Sequence, residues 1–129
     1  MGTSFSIETT LLFAAIFGVL HVIFTLRVGG YRLKSKISLG DGGDPELRNR
    51  IRGHGNFIEN VPIALLLLLL NELNGLPDGT LMILGSVFLV SRVLHYVMLV
   101  TRSLPIVFRP ISMLGTLGTI LVSAVLLVV

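Results

Sequence analysis

The stretch VPIALLLLLL, residues 61–70, is ten residues long, carries no charge and lies within a longer apolar segment. Outward from it the chain contains three further apolar segments, each separated from the next by polar or turn-forming residues. A hydrocarbon core about 30 Å thick requires ~20 apolar residues for each helical crossing. The sequence therefore predicts an all-α integral membrane protein, a bundle of four transmembrane helices with approximate spans of 7–28, 52–74, 80–100 and 107–129.

The composition agrees with this class. Of the 129 residues, 53% are hydrophobic and 13% are charged, and the mean hydropathy is +0.91. Because a soluble domain carries about 25% charged residues, the composition excludes a soluble globular domain, a disordered chain and a nucleic-acid-binding protein. Four spans leave room for one membrane domain over residues 1–129. The chain has no cysteine, which excludes disulfides, thiolate metal sites and a cysteine nucleophile.

Turn-forming residues separate the spans at 40–45, 74–79 and around Pro105 and Pro110. Asp44, Pro45 and Glu46 have the order of a helix N-cap, a first-turn proline and an acid that the helix dipole favours. The second helix is therefore predicted to begin about two turns before its membrane span.

Basic residues are distributed unevenly between the two sides of the predicted bundle. The first loop, about 29–51, and its flanks hold seven of them, the third loop holds Arg102 and Arg109, and the second loop and both chain ends hold none. By the positive-inside rule, the first and third loops are predicted to be cytoplasmic and both termini to lie outside. The seven are Arg27, Arg32, Lys34, Lys36, Arg48, Arg50 and Arg52.

Polar residues also follow helical spacing within the spans, where charges are costly and usually face a bundle interior or a wet cavity. Four of them recur along the second helix at steps of four, four and three, so they share one face. The third helix has a second polar face. The two sets are Arg48, Arg52, Asn56 and Glu59, and then Arg92, His95 and Tyr96.

Glu59 and Arg92 are predicted to meet at similar depth. They lie ~22 Å and ~18 Å along their helices from the short second connection. An ion pair would make both burials tolerable. One interpretation is that these polar groups only hold helices together through interhelical hydrogen bonds. The other is that this net cationic surface binds a small polyanion, since arginine grips carboxylates with two parallel hydrogen bonds.

Two motifs carry a family resemblance. Residues 44–47 read DPEL and residues 52–62 read RGHGNFIENVP, which contains the pattern Arg-x-His-x-Asn-x-x-Glu followed by a proline. Residues 91–96 read SRVLHY, with the pattern Arg-x-x-His. Together these resemble the MAPEG family, the membrane-associated proteins in eicosanoid and glutathione metabolism, and most closely its short bacterial members. The resemblance covers nearly the whole chain.

The resemblance implies a homotrimer of left-handed bundles in the bacterial inner membrane, with glutathione bound between subunits on the cytoplasmic side. It places glutathione contacts on Arg32, Arg52, Asn56, Glu59 and Arg92, with Arg109 joining them. The polar faces add Arg48 and His95 to this predicted set.

The implied chemistry is formation of the glutathione thiolate, because a thiol attacks as its thiolate and nearby cations lower its pKa. Arg109 is the candidate to hold the sulfur anion, and Tyr96 is the second candidate catalytic residue. The thiolate would then conjugate a lipophilic electrophile or reduce a lipid hydroperoxide, so a hydrophobic small molecule and membrane lipids are expected partners.

Three positions depart from the pattern of catalytic members. Gly55 stands where the family often has arginine, Leu99 where it often has tyrosine, and Pro110 follows Arg109 where serine is common. Tyr96 lies one helical turn before Leu99. The alternative function is therefore a non-catalytic membrane protein that binds a ligand or lipid with the same fold.

The histidines predict no metal site. His54 and His95 lie on different helices with no carboxylate at ligand spacing, and His21 is interpreted as a residue that packs or makes an interhelical hydrogen bond.

Overall fold

A computed structural model of the protein describes residues 5–129, and over this range it contains four α-helices. All four are long and apolar enough to cross a membrane, which confirms the predicted fold class. Successive helices alternate in direction. The helices are α1 (Glu8–Ser35), α2 (Pro45–Leu73), α3 (Asp78–Thr101) and α4 (Phe108–Val128).

The start of α2 follows from its first residues. The Asp44 side chain accepts hydrogen bonds from the backbone N–H groups of Glu46 and Leu47, at 2.9 and 3.2 Å, and Pro45 occupies the first helical position. This arrangement satisfies two of the N–H groups that a helix start leaves without partners. The predicted N-cap is confirmed, and α2 begins at Pro45.

A column of aromatic rings forms the centre of the bundle. The Phe17 ring lies 5.4 Å from Phe88 on α3 and 5.9 Å from Phe57 on α2, measured between ring centroids. Gly85 is required beside this column because a Cβ there would overlap the Phe13 ring. Helices α1 and α4 each pack against α2 and α3. Since lipid is as apolar as this core, close packing rather than burial from water holds the helices together.

The two ends of the bundle differ. The basic end contains the α1–α2 and α3–α4 connections. The terminal end contains the α2–α3 connection, the start of α1 and the end of α4. At the terminal end, the Glu72 carboxylate accepts hydrogen bonds from the backbone N–H groups of Thr9 and Thr10, at 3.0 and 2.8 Å. Ile7, the N-cap residue of α1, makes no side-chain cap of its own, so α2 supplies the cap for α1.

Asn71 completes this cluster. Its amide donates to the carbonyl oxygens of Ser123 on α4 and Leu67 on α2, both at 2.9 Å. We name Thr9, Thr10, Asn71, Glu72 and Ser123 the terminal cluster. All five residues are buried.

Candidate functional site

A cavity of about 380 Å³ opens at the basic end, between the start of α2, the end of α3 and the start of α4. This volume lies within the range of small-molecule sites. Three arginines from three different segments line it, and no carboxylate side chain of the described chain is among the lining residues. We name it the arginine cavity. Its lining residues are Asn49, Arg52, Met98, Leu99, Arg102, Leu104, Ile106 and Arg109.

Local structure explains how the three arginines converge. Arg52 follows the Asp44 cap by eight residues, which places it ~12 Å along α2. Helix α3 ends at Thr101, and the C-cap residue that follows it, Arg102, has a left-handed φ of 52° that turns the chain towards α4. Two backbone hydrogen bonds, Phe108 N–H to Pro105 O and Arg109 N–H to Ile106 O, both 3.1 Å, then start α4.

Arg109 stands in the first turn of α4, where a helix dipole favours negative charge. Within α4 that first turn contains no acidic residue, and the N-cap residue Val107 makes no side-chain cap. A cation at this position is therefore poorly placed for helix stability. An anion bound beside Arg109 would favour both the guanidinium and the helix start.

Arg92 lies behind the cavity and is not one of its lining residues. Its side chain is 1% exposed. Nε donates to Thr116 Oγ1 at 2.7 Å, Nη1 to Asn56 Oδ1 at 2.6 Å and Nη2 to Met113 Sδ at 3.6 Å. It thus ties the Asn56 side chain of α2 to α4, which makes it a positioning residue within one chain.

The expected ion pair between Arg92 and Glu59 is not formed. Over residues 5–129 the ion pairs are Arg48 with Asp41 and Arg50 with Glu46. Glu59 is exposed, whereas Arg92 is buried and donates to Asn56, three residues before Glu59 on α2. Similar depth along the helices was insufficient to predict the ion pair, because the Asn56 side chain supplies an acceptor for the Arg92 guanidinium instead.

His95 is also buried behind the cavity. Its Nδ1 lies 3.0 Å from Ser112 Oγ, and that hydroxyl donates to the carbonyl oxygen of Arg109 at 2.9 Å. Because a serine hydroxyl has a single hydrogen, its donation to this carbonyl requires the His95 tautomer that carries its proton on Nδ1. His95 therefore fixes the first turn of α4, where Arg109 stands, and does not face the cavity.

Tyr96 points towards α1 and not into the arginine cavity. Its ring stacks on Phe24 with centroids 3.6 Å apart, and its hydroxyl accepts a hydrogen bond from Arg27 Nε at 3.1 Å. Gly53 leaves the space for this ring, since a Cβ at that position would lie 3.1 Å from it. The structure thus does not bring Tyr96 together with Arg109, and Leu99 occupies the cavity wall instead.

Two other residues predicted to contact glutathione, Arg32 and Arg48, instead bind groups of the α1–α2 loop. Arg32 Nη1 donates to the carbonyl oxygens of Gly40 and Ile37, at 2.8 and 3.2 Å. Arg48 Nε contacts Asp41 Oδ2 at 2.8 Å, and this hydrogen bond lowers the pKa of the Asp41 carboxyl. Neither arginine lines the cavity. Of the predicted residues, only Arg52 and Arg109 do so.

Sequence reasoning missed Arg102 and Asn49, which are joined across the cavity by a hydrogen bond from Arg102 Nη2 to Asn49 Oδ1 of 3.1 Å. Arg102 contributed only to the orientation argument. Its position directly after α3, at the same end as Arg52, was the available signal.

An apolar groove of about 400 Å³ runs along α3 beside the arginine cavity. Leu104 lines both, so the two spaces are adjacent. The other lining residues of the groove are Leu89, Val90, Val93, Leu94 and Val97.

The remaining histidines meet on the outer side of α1 and α2. The rings of His21 and His54 lie 5.3 Å apart, and His54 Nε2 is 3.0 Å from Thr25 Oγ1. His21 is exposed and contacts the His54 ring on the neighbouring helix. In the part of the chain described, no group of three or more His, Cys, Asp or Glu is arranged to hold a metal ion.

Comparisons with known proteins agree with this architecture. The model of the MAPEG family matches residues 10–129. Inner membrane protein YecN of Escherichia coli (strain K12) is 39% identical over 85 residues, which cover 66% of this chain and 65% of that protein. The protein of the same name from Escherichia coli O6:H1 gives the same figures. The match thus spans slightly less than two thirds of the length of these relatives.

Proposed function

The chain belongs to the MAPEG family, and from that premise we propose that it binds glutathione in the arginine cavity. We further propose that it is a glutathione-dependent transferase or peroxidase that acts on lipophilic electrophiles. The observation that carries the proposal is the set of three guanidinium groups, from Arg52, Arg102 and Arg109, around a cavity whose lining contains no carboxylate.

The charges of glutathione suit this cavity. The tripeptide carries two carboxylates, which guanidinium groups bind in bidentate geometry. Its ammonium group requires an acceptor outside the cavity, and the exposed carboxylate of Glu59, two helical turns from Arg52 on α2, can supply one. Asn56, held in place by Arg92, stands one turn from both Arg52 and Glu59 on that helix.

Arg109 is the residue proposed to stabilise the thiolate. A cation at the start of α4 combines with the positive end of the helix dipole, and both lower the pKa of a bound thiol. With an aryl chloride, the thiolate sulfur forms a bond to the ring carbon and chloride leaves, while the thiol proton passes to water at the cavity mouth.

The apolar groove along α3 supports a lipophilic second substrate. Because Leu104 lines both spaces, a hydrophobic molecule in the groove can bring its reactive atom to the sulfur in the cavity. The other side chains that line the groove are leucine and valine, which are apolar and can contact lipid or a hydrophobic substrate.

Assembly and location complete the proposal. We propose a homotrimer in the bacterial inner membrane with both termini outside and the basic end in the cytoplasm. The supporting observations are the two relatives named as inner membrane proteins and the uneven distribution of basic residues. In a trimer, a neighbouring copy can cover the exposed stripe of α2 and contribute Arg32 to the site.

The test is thermal stability of the detergent-purified protein against glutathione concentration. A ligand that binds only the folded state raises the melting temperature as its concentration passes Kd. We expect the wild type and Lys34→Gln, which removes an exposed charge at the same end, to be stabilised equally, and Arg52→Gln to lose the shift. Absence of a shift in the folded wild type at millimolar glutathione would refute the proposal.

A second candidate function is ligand binding without turnover. The observation that favours it is the packing of Tyr96 against Phe24, which leaves Leu99 rather than a hydroxyl on the cavity wall. Stabilisation by glutathione with no consumption of chlorodinitrobenzene or a lipid hydroperoxide would support this candidate over the enzyme.

A further inference from the structure

Arg102 occupies an unusual position for an arginine. It is the residue after α3, and its backbone φ of 52° is left-handed, a conformation that residues other than glycine and asparagine rarely adopt. Its guanidinium nevertheless returns to the cavity wall, where Nη2 donates to Asn49 Oδ1 of α2. The backbone turn therefore directs a third cation into a space that Arg52 and Arg109 already make positive.

Most of the hydrogen-bonding capacity of this guanidinium is unused within the chain. Arginine has five N–H donors. In the described structure the bond to Asn49 is the hydrogen bond its side chain makes, and Asn49 carries no charge to balance it. Three cations around one cavity repel each other, and each anionic group of a bound ligand relieves that repulsion.

We propose that Arg102 is the third anion-binding residue of the arginine cavity and that it makes the cavity select ligands with two carboxylates over those with one. This inference rests on the proposed function and deepens it. Glutathione as its thiolate carries three anionic groups, which equals the number of guanidinium groups. With Arg109 at the sulfur, Arg52 and Arg102 are left to bind one carboxylate each. A ligand with a single carboxylate leaves one of them without a counter-charge.

A purely structural role for Arg102 makes a different prediction. If the residue only ties the end of α3 to α2, then Asn49→Ala and Arg102→Gln remove the same bond and have the same effect on every property. If Arg102 binds ligand, Arg102→Gln weakens binding by more than Asn49→Ala does, because Asn49→Ala keeps the cation. The pair of variants therefore separates the two roles even where both lower thermal stability.

The experiment measures Kd by titration of the detergent-purified full chain with glutathione and with its glycyl monoethyl ester, which lacks one carboxylate. We expect the wild type to bind glutathione roughly tenfold tighter than the ester, which is the effect of one lost charged hydrogen-bonding partner. Arg102→Gln is expected to weaken glutathione by about the same factor while the ester changes little. Arg102→Lys restores charge without the planar fork and should recover part of the discrimination.

The controls separate this inference from the proposed function. Lys34→Gln removes an exposed positive charge at the same end and should bind both ligands as the wild type does. If Arg102→Gln keeps both the affinity and the preference for glutathione while Arg52→Gln loses binding, Arg102 is not a ligand residue and the proposed function stands. If the folded wild type binds neither ligand, the proposed function fails and this inference fails with it.

Discussion

The two ends of the bundle treat their charged groups in opposite ways. At the terminal end the buried Glu72 carboxylate accepts from two backbone N–H groups, and Asn71 donates to two carbonyl oxygens. At the basic end three arginines surround an open cavity whose described lining holds no acid. In the first arrangement the buried Glu72 carboxylate and Asn71 amide find their hydrogen-bonding partners within the chain, which favours stability, and the Thr10 hydroxyl is the one buried polar atom of this cluster without a partner. The second is open and unbalanced, which costs stability and is useful only if a ligand supplies the missing charge.

The comparison separates stability from binding, and substitutions at the two ends should change different quantities. In the arginine cavity, a substitution should alter ligand affinity or turnover with little change in melting temperature. At the terminal end, it should alter the melting temperature and leave ligand affinity unchanged.

The largest effect is expected for Arg109→Gln. If Arg109 stabilises the thiolate, its loss should lower kcat for chlorodinitrobenzene conjugation by roughly 10²-fold, as for the removal of one donor from a developing anion. The pKa of the bound thiol should rise, which moves the kcat profile to higher pH. The melting temperature should change little, because Arg109 is exposed and poorly placed at a helix start.

The measurement is a steady-state assay over pH together with a glutathione titration of the same preparation. Turnover should fall more than affinity. An equal loss of kcat and glutathione binding would contradict the thiolate role and leave Arg109 as a binding residue only.

The second effect is expected at the terminal end, for Glu72→Leu. The change leaves the backbone N–H groups of Thr9 and Thr10 buried without acceptors, which costs about 1–3 kcal/mol for each unsatisfied group. The free energy of unfolding in detergent should fall accordingly, and the glutathione Kd of the remaining folded protein should stay within about twofold. Glu59→Gln is the matched control for stability, since Glu59 is exposed.

Chemical or thermal unfolding of the two variants beside the wild type checks this prediction. A Glu72→Leu protein as stable as Glu59→Gln would show that the α1 cap is dispensable. The hydrogen bonds of Glu72 at the terminal end would then not contribute to the stability of the bundle.

The four helices and the N-cap of α2 could be predicted because each depends on residues close together in the sequence. The partners of the polar groups could not. Tyr96 and Leu99 are three positions apart on α3, yet they face different neighbours. Tyr96 faces α1 because its ring packs against Phe24 and because Gly53, which has no side chain, leaves space for it. The cap that Glu72 supplies joins residues more than 60 positions apart. Arg102 was missed because its left-handed turn leaves no trace in its residue type.

The smallest effect is expected in the α1–α2 loop, for Asp44→Asn. Asp44 lies at the basic end but does not line the arginine cavity. The Tyr31 hydroxyl donates to Asp44 Oδ2 at 2.8 Å, and this bond, with the backbone N–H of Leu47, lowers the pKa of the Asp44 carboxyl. A carboxyl with a lowered folded pKa adds stability above its unfolded value of about 3.9 and loses it as the pH falls through the folded value. Melting temperature should therefore decline below about pH 5.

Asp44→Asn keeps an N-cap acceptor but cannot ionise, so its melting temperature should fall less over the same range, by roughly a degree or two. Asp41, whose pKa Arg48 lowers in the same direction, accounts for part of the remaining dependence. Melting curves of both proteins from neutral to acidic pH measure the difference, and parallel curves would place the acid-sensitive charge outside the Asp44 cap. Glutathione affinity at neutral pH should be the same in both, because Asp44 holds the loop and does not line the cavity.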